Sequence, residues 1–216
     1  MARKSLPDGT RLDRFIIRHE VSEDGLGVTY VAEDTASISG AAKMTLREYF
    51  PSGISQRTKD EIRPMGKTGK SRFEAGKTRF SDAMTRLQSV NDTVINPVTE
   101  TFEENGTIYA VSESLNGIPL SRVIDEDGPF SPALLRSVLM LLLPGVERYE
   151  EAGIMHGGLS PESILRQVDG YPVMGTPSSP LNLGAQRDDI HPGTYAKTPY
   201  SPPELADGGT GELVGN

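Results

Sequence analysis

His156-Gly157-Gly158-Leu159-Ser160-Pro161-Glu162-Ser163-Ile164 is the stretch on which the reading of this chain turns. His and Gly are common loop residues and Pro161 has no amide donor, so the nine residues read as a loop. Upstream, Ser131 can cap a helix and Pro132 suits its first turn. Leu134, Leu135, Val138, Leu139, Leu142, Leu143 and Val146 follow as a wide apolar stripe, which predicts a buried helix. Pro144 lies inside that stripe and should bend or tighten the helix, because it removes one amide donor. A polar turn is expected over Asp125 to Gly128, just before the helix. Downstream, two short strands flank Asp169-Gly170, a hairpin signal. Beyond them Gly, Pro, Ser and Asp dominate to the C-terminus, and loop is expected there.

The first half reads as short strands. Asn105-Gly106 lies between Val98 to Phe102 and Ile108 to Val111, and both turn residues tolerate positive φ, so a tight hairpin is expected. Ahead of it Phe73, Phe80, Met84 and Leu87 recur at helical spacing, which predicts a helix with one covered face. No internal repeat is evident.

Composition narrows the class. The chain has 216 residues, 36% apolar and 24% charged, enough to bury a core in an ordinary globular domain. It has no Cys and three His, which excludes disulfides and thiolate metal sites and disfavours a structural zinc. A net charge of −8 argues against nucleic acid or anionic membrane as partner, since both require clustered Lys and Arg. The one basic stretch, with Lys67, Lys70, Arg72, Lys77 and Arg79, reads as a solvated helix face or a docking patch for an acidic partner. No run of 18 apolar residues occurs and the N-terminus is polar, so a cytoplasmic location without membrane insertion is expected.

The landmarks together resemble the serine/threonine protein kinases of eukaryotic type found in bacteria. A kinase catalytic loop reads His-Arg-Asp, four residues, then Asn, where the Asp accepts the substrate proton and the Asn holds magnesium. His156 to Ser163 has that frame. Six more stretches fall in the family's order: Leu6 to Ile17; the glycine-rich turn at Val21 to Tyr30; Arg47-Glu48-Tyr49-Phe50-Pro51, similar to Lys-Glu-Tyr-Phe-Pro of one bacterial branch; Phe102 to Tyr109; Asn116 to Leu120; and Ser201-Pro202-Pro203-Glu204. The resemblance implies an α+β, protein-kinase-like fold. Residues 1–117 would form a small lobe of antiparallel sheet plus one helix, and residues 118–216 an incomplete, mainly helical large lobe.

It also implies losses. Arg47 stands where the nucleotide-binding Lys belongs, Ala83 where its partner Glu belongs, Gly158 where the base belongs, and Ser163 and Thr176 where the two metal ligands belong. Gly157 and Ser160 replace the loop Arg and Lys, and Ser22 and Asp24 replace two motif glycines. His156 is a packing residue in the family, and no carboxylate partner is evident to make it a base. These substitutions give the expectation of a pseudokinase, not an enzyme, with no cofactor and no metal, acting as a protein-interaction or regulatory module. Its partner would be another protein, with a homodimer through exposed large-lobe surface as one form. The alternative is a divergent ATP-binding phosphotransferase, using Arg47 or Lys43 with carboxylates such as Glu162 or Asp169, or a nucleotide-sensing domain. If nucleotide binds, Gly25, Gly27, Lys43 and Arg47 are the candidate contacts.

Overall fold

The computed structural model describes residues 5–37, 42–154, 156, 159–176 and 200. The expected Ser201-Pro202-Pro203-Glu204 landmark lies outside them, as does the loop read beyond the hairpin at Asp169-Gly170 except for Tyr200. The chain divides into two compact units, Met1–Gln88 with Val98–Ser114 and Ser89–Pro97 with Leu115–Asn216.

The first unit is built on a six-stranded antiparallel sheet. Its strands are β1 (Arg11–Leu12), β2 (Phe15–Asp24), β3 (Gly27–Asp34), β4 (Ala42–Tyr49), β7 (Val98–Glu104) and β8 (Thr107–Glu113), in the order β1-β2-β3-β4-β8-β7. In β3 and β4 burial alternates along much of each strand, so the two strand faces differ. Phe15, Ile17, Val28, Tyr30, Leu46, Tyr109 and Val111 form one core cluster. Asn105 and Gly106 join β7 to β8 with φ of 51° and 73°, as the sequence predicts. Between β4 and the helix lies a hairpin absent from the sequence reading, β5 (Ser55–Thr58) with β6 (Glu61–Pro64). Lys59 turns it at φ 56°. Helix α1 (Gly66–Ser89) then buries Phe73, Phe80, Met84 and Leu87, the four residues that predicted it. Tyr49 at the end of β4 meets the Phe73 and Phe80 rings at 5.3 and 5.7 Å.

The second unit holds β9 (Gly117–Pro119), α2 (Leu120–Asp127), α3 (Pro132–Glu151), β10 (Ile164–Gln167) and β11 (Pro172–Met174), with sheet order β11-β10-β9. The turn expected over Asp125 to Gly128 is instead the end of α2, with Gly128 closing it at φ 85°. The amphipathic residues Leu120 and Val123, both buried, are the reason a helix forms there. Ser131 caps α3 as predicted, its hydroxyl accepting from the Leu134 amide at 3.2 Å, and Pro132 sits in the first turn. The helix runs through Pro144 without ending.

Its burial departs from expectation. Only Leu142, Gly145 and Tyr149 are buried, whereas Leu134, Leu135, Leu139, Met140, Leu141 and Leu143 are all exposed, Met140 to 62% and Leu143 to 56%. The physical reason is that α3 packs along one narrow face. At Gly145 an added Cβ would come within 2.5 Å of Val94 Cγ2 and 2.6 Å of Met174 Cε, while most side chains on the remaining circumference are exposed. Among the described residues no helix is long and apolar enough to cross a membrane.

Candidate functional site

The residues singled out from the sequence fall into both units. In the first, Arg47 lies opposite Thr29 across β3 and β4, and its Nη1 donates to Thr29 Oγ1 at 3.1 Å. Lys43 is four residues earlier on the same strand, exposed, and shares Arg47's face by the strand's two-residue period. Gly25 is exposed at the connection of β2 and β3, where its carbonyl accepts from the Ser52 amide at 2.9 Å and from Ser52 Oγ at 3.2 Å. Gly27 is buried against β4, and a Cβ there would stand 2.0 Å from the Glu48 carbonyl oxygen. No side chain fits, so close strand approach alone requires this glycine. Ala83 is buried in α1, and the adjacent Asp82 is exposed on another side of the helix. For a nucleotide the set is chemically mixed: Arg47 offers a cation, while Glu23 at the end of β2 is an exposed anion.

The densest polar cluster in this unit is one that the sequence reading missed. Glu48 is fully buried, and its carboxylate accepts from Tyr30 Oη at 2.9 Å, Tyr109 Oη at 2.7 Å and Arg57 Nη2 at 2.5 Å. Tyr30 Oη in turn accepts from the Leu6 amide at 3.0 Å. Burial opposes the charge on Arg57, but the attraction and hydrogen bond of Glu48 outweigh it and raise the guanidinium's pKa. Burial first, and then the neighbouring carboxylate, push the Tyr30 and Tyr109 phenols far above the ordinary tyrosine range. A signal was present in the sequence: Glu48 shares strand parity with Met44 and Leu46, so an acid falls on the apolar face and must find partners.

In the second unit, Ser163 and Thr176 lie on segments that meet. The Gly175 amide donates to the Ser163 carbonyl at 2.8 Å, and Gly175's own carbonyl accepts from His156 Nε2 at 3.1 Å. Because a carbonyl can only accept, Nε2 carries the proton. The Ser163 hydroxyl donates to the Ser160 carbonyl at 3.1 Å and accepts from the Ser160 amide at 3.0 Å, closing the loop on itself. His156 is buried against the edge of the Tyr149 ring, centroids 5.7 Å apart. Burial holds its imidazole down to about 4, against the Gly175 carbonyl that favours the charged form. It is a neutral packing residue at pH 7, the role the sequence analysis favoured. Gly157 and Gly158 lie outside the described residues. Elsewhere in this unit a groove of about 350 Å³ is lined by Leu120, Val123, Phe130, Leu134, Val138 and Pro172.

No protein-family model matches the chain. Among curated proteins, it is 23% identical over 164 residues to the serine/threonine-protein kinase PknE of Mycobacterium tuberculosis, covering 76% of this chain and 25% of that protein. It is 31% identical over 90 residues to the serine/threonine-protein kinase PknA of Nostoc, covering 41% and 15%, and 24% identical over 180 residues to the serine/threonine-protein kinase D of Synechocystis, covering 83% and 31%. The chain is similar in sequence to bacterial serine/threonine protein kinases. Among solved structures, the apo form of PpkA-294 matches with a TM-score of 0.67 at 26% identity, covering 80% of this chain and 61% of that one. The kinase domain of PknI from Mycobacterium tuberculosis matches with a TM-score of 0.61 at 12% identity, covering 95% and 69%, a likeness of fold.

The fold is therefore protein-kinase-like, α+β, with an antiparallel sheet and one helix in the first unit. The chain spans about a quarter of the length of PknE. One expectation is corrected here: the assignment as no enzyme conflicts with relatives that carry the names of serine/threonine protein kinases, and it is withdrawn. The physical reason is that phosphoryl transfer depends on positioned charge, and altered side chains at the motif positions, several together included, do not by themselves show that the charge is missing from the site.

Proposed function

We infer that this chain is a regulatory domain of the protein-kinase fold that works by binding another protein, with helix α3 carrying the contact. The observation that supports the reading is the exposure of Leu134, Leu135, Leu139, Met140, Leu141 and Leu143 on one helix. Contiguous apolar surface of that kind marks interaction sites in soluble proteins. The fold alone assigns no function, so the reading rests on this surface. Photo-crosslinking in cells tests it. With p-benzoylphenylalanine at Met140, a discrete protein adduct is expected that is absent when the same group replaces Lys59, on the β5–β6 turn. Equal labelling at both positions, or none at Met140, defeats the reading.

A second reading, a nucleotide-dependent phosphotransferase, draws on the kinase names of the relatives and on Arg47 and Lys43 sharing one face of β4. Calorimetric titration with ATP, with and without magnesium, decides it. Metal-dependent binding that falls in Arg47→Ala and Lys43→Ala supports it, and no heat with either form removes it.

A further inference from the structure

Helix α3 has two faces of different character. Leu142, Gly145 and Tyr149, spaced by three and four, form the face that packs within the second unit. Arg136, Met140, Leu143 and Glu147, spaced by four, three and four, form another stripe, and all four side chains are exposed. Leu139 borders the stripe and is also exposed. Neither Arg136 nor Glu147 forms an ion pair among the described residues, although the neighbouring Arg148 pairs with Glu151 at 3.1 Å.

The stripe reads the same from either end except for the sign of its charge: cation, apolar, apolar, anion. Between Arg136 and Glu147 it runs roughly 16 Å along the helix. A second α3 laid antiparallel across it, related by a two-fold axis midway along the stripe, places Arg136 of each copy against Glu147 of the other. Met140 of each then meets Leu143 of the other. An isologous contact needs such self-complementarity, because residue i meets residue j and j meets i.

We propose that the partner bound at α3 is a second copy of this chain, docked antiparallel through Arg136, Met140, Leu143 and Glu147. This rests on the reading that α3 is a protein contact and names its occupant. A kinase-fold domain held in this way would pair two identical copies with their second units adjoining.

Sedimentation velocity on the 216-residue chain over a range of concentrations tests the proposal. A monomer–dimer equilibrium is expected, and Met140→Lys with Leu143→Lys abolishes it. Arg136→Glu and Glu147→Arg each weaken dimerisation by about tenfold, since each replaces two opposite-charge contacts with two like-charge ones. The two single variants mixed together, and the variant carrying both reversals, recover most of the lost affinity, a result that only the antiparallel register produces. Melting temperatures equal to that of the parent chain confirm that the variants fold, and the doubly reversed variant guards against a single variant that does not. A chain that remains monomeric at every concentration overturns the proposal, as does association indifferent to the charge reversals or unrestored by combining them. If the chain is monomeric but a crosslink at Met140 captures a different protein, the contact reading survives and this proposal falls.

Discussion

The imidazole of His156 shows how much one position can carry. Burial lowers its pKa to about 4 in the folded chain, against about 6.5 for an exposed histidine. Between those two values the unfolded chain binds more protons than the folded one, so stability rises with pH through that window. The contribution is full above pH 6.5 and is lost as pH falls toward 4, a change on the order of 3 kcal/mol. Urea denaturation at intervals from pH 4 to 7 should show this slope in the parent chain and a shallower one in His156→Gln; equal slopes would refute the assignment. The residue's packing role was legible from sequence, because no carboxylate lay near it to make a base. Its depressed pKa was not, since that depends on burial, with Tyr149 packed against the ring, outweighing the Gly175 carbonyl that favours the charged form. Gly27 divides in the same way. The sequence placed it in a tight strand connection, but only the 2.0 Å approach of the Glu48 carbonyl explains why no Cβ is tolerated.

Among elements, the β5–β6 hairpin was illegible and the β7–β8 hairpin was plain. The latter announces itself through Asn105-Gly106, a local turn code, whereas the former turns at Lys59 and contributes Ile62 to the core and Arg57 to Glu48. The Glu48 carboxylate thus joins β3, β4, β8 and the hairpin through Tyr30, its own strand, Tyr109 and Arg57. Glu48→Gln removes the charge that neutralises a guanidinium whose side chain is 4% exposed. A loss of about 3 to 5 kcal/mol is expected from such a broken buried pair, read from chemical denaturation of parent and variant. A loss below about 1 kcal/mol would mean that Arg57 is not held as described. Helix α3 gives the opposite lesson. Its cap at Ser131 and its apolar residues were read correctly, yet the inference from many leucines to a buried helix failed, because most of its circumference stays exposed.

Across the whole molecule, the first unit concentrates its core on the central strands. β3 and β4 are each paired on both sides, as is β8, while β1 and β7 lie at the edges. Amide hydrogen exchange should therefore be slowest in β3, β4 and β8 and faster in β1 and β7, with the outer turns of α3 less protected than the turn around Leu142 and Gly145. Uniform protection across the sheet would contradict this gradient. What the sequence by itself determined was local or periodic: the Asn105-Gly106 turn, the Ser131 cap, the single covered face of α1, and the order of motifs that carries the kinase likeness. Each depends on residues close together in the chain, so pattern suffices. Tertiary structure alone decided which faces are covered: that Glu48 is sealed beneath two phenols and an arginine, and that Met140 and Leu143 look outward. Periodicity says which side chains share a face, but burial depends on what distant segments pack against that face.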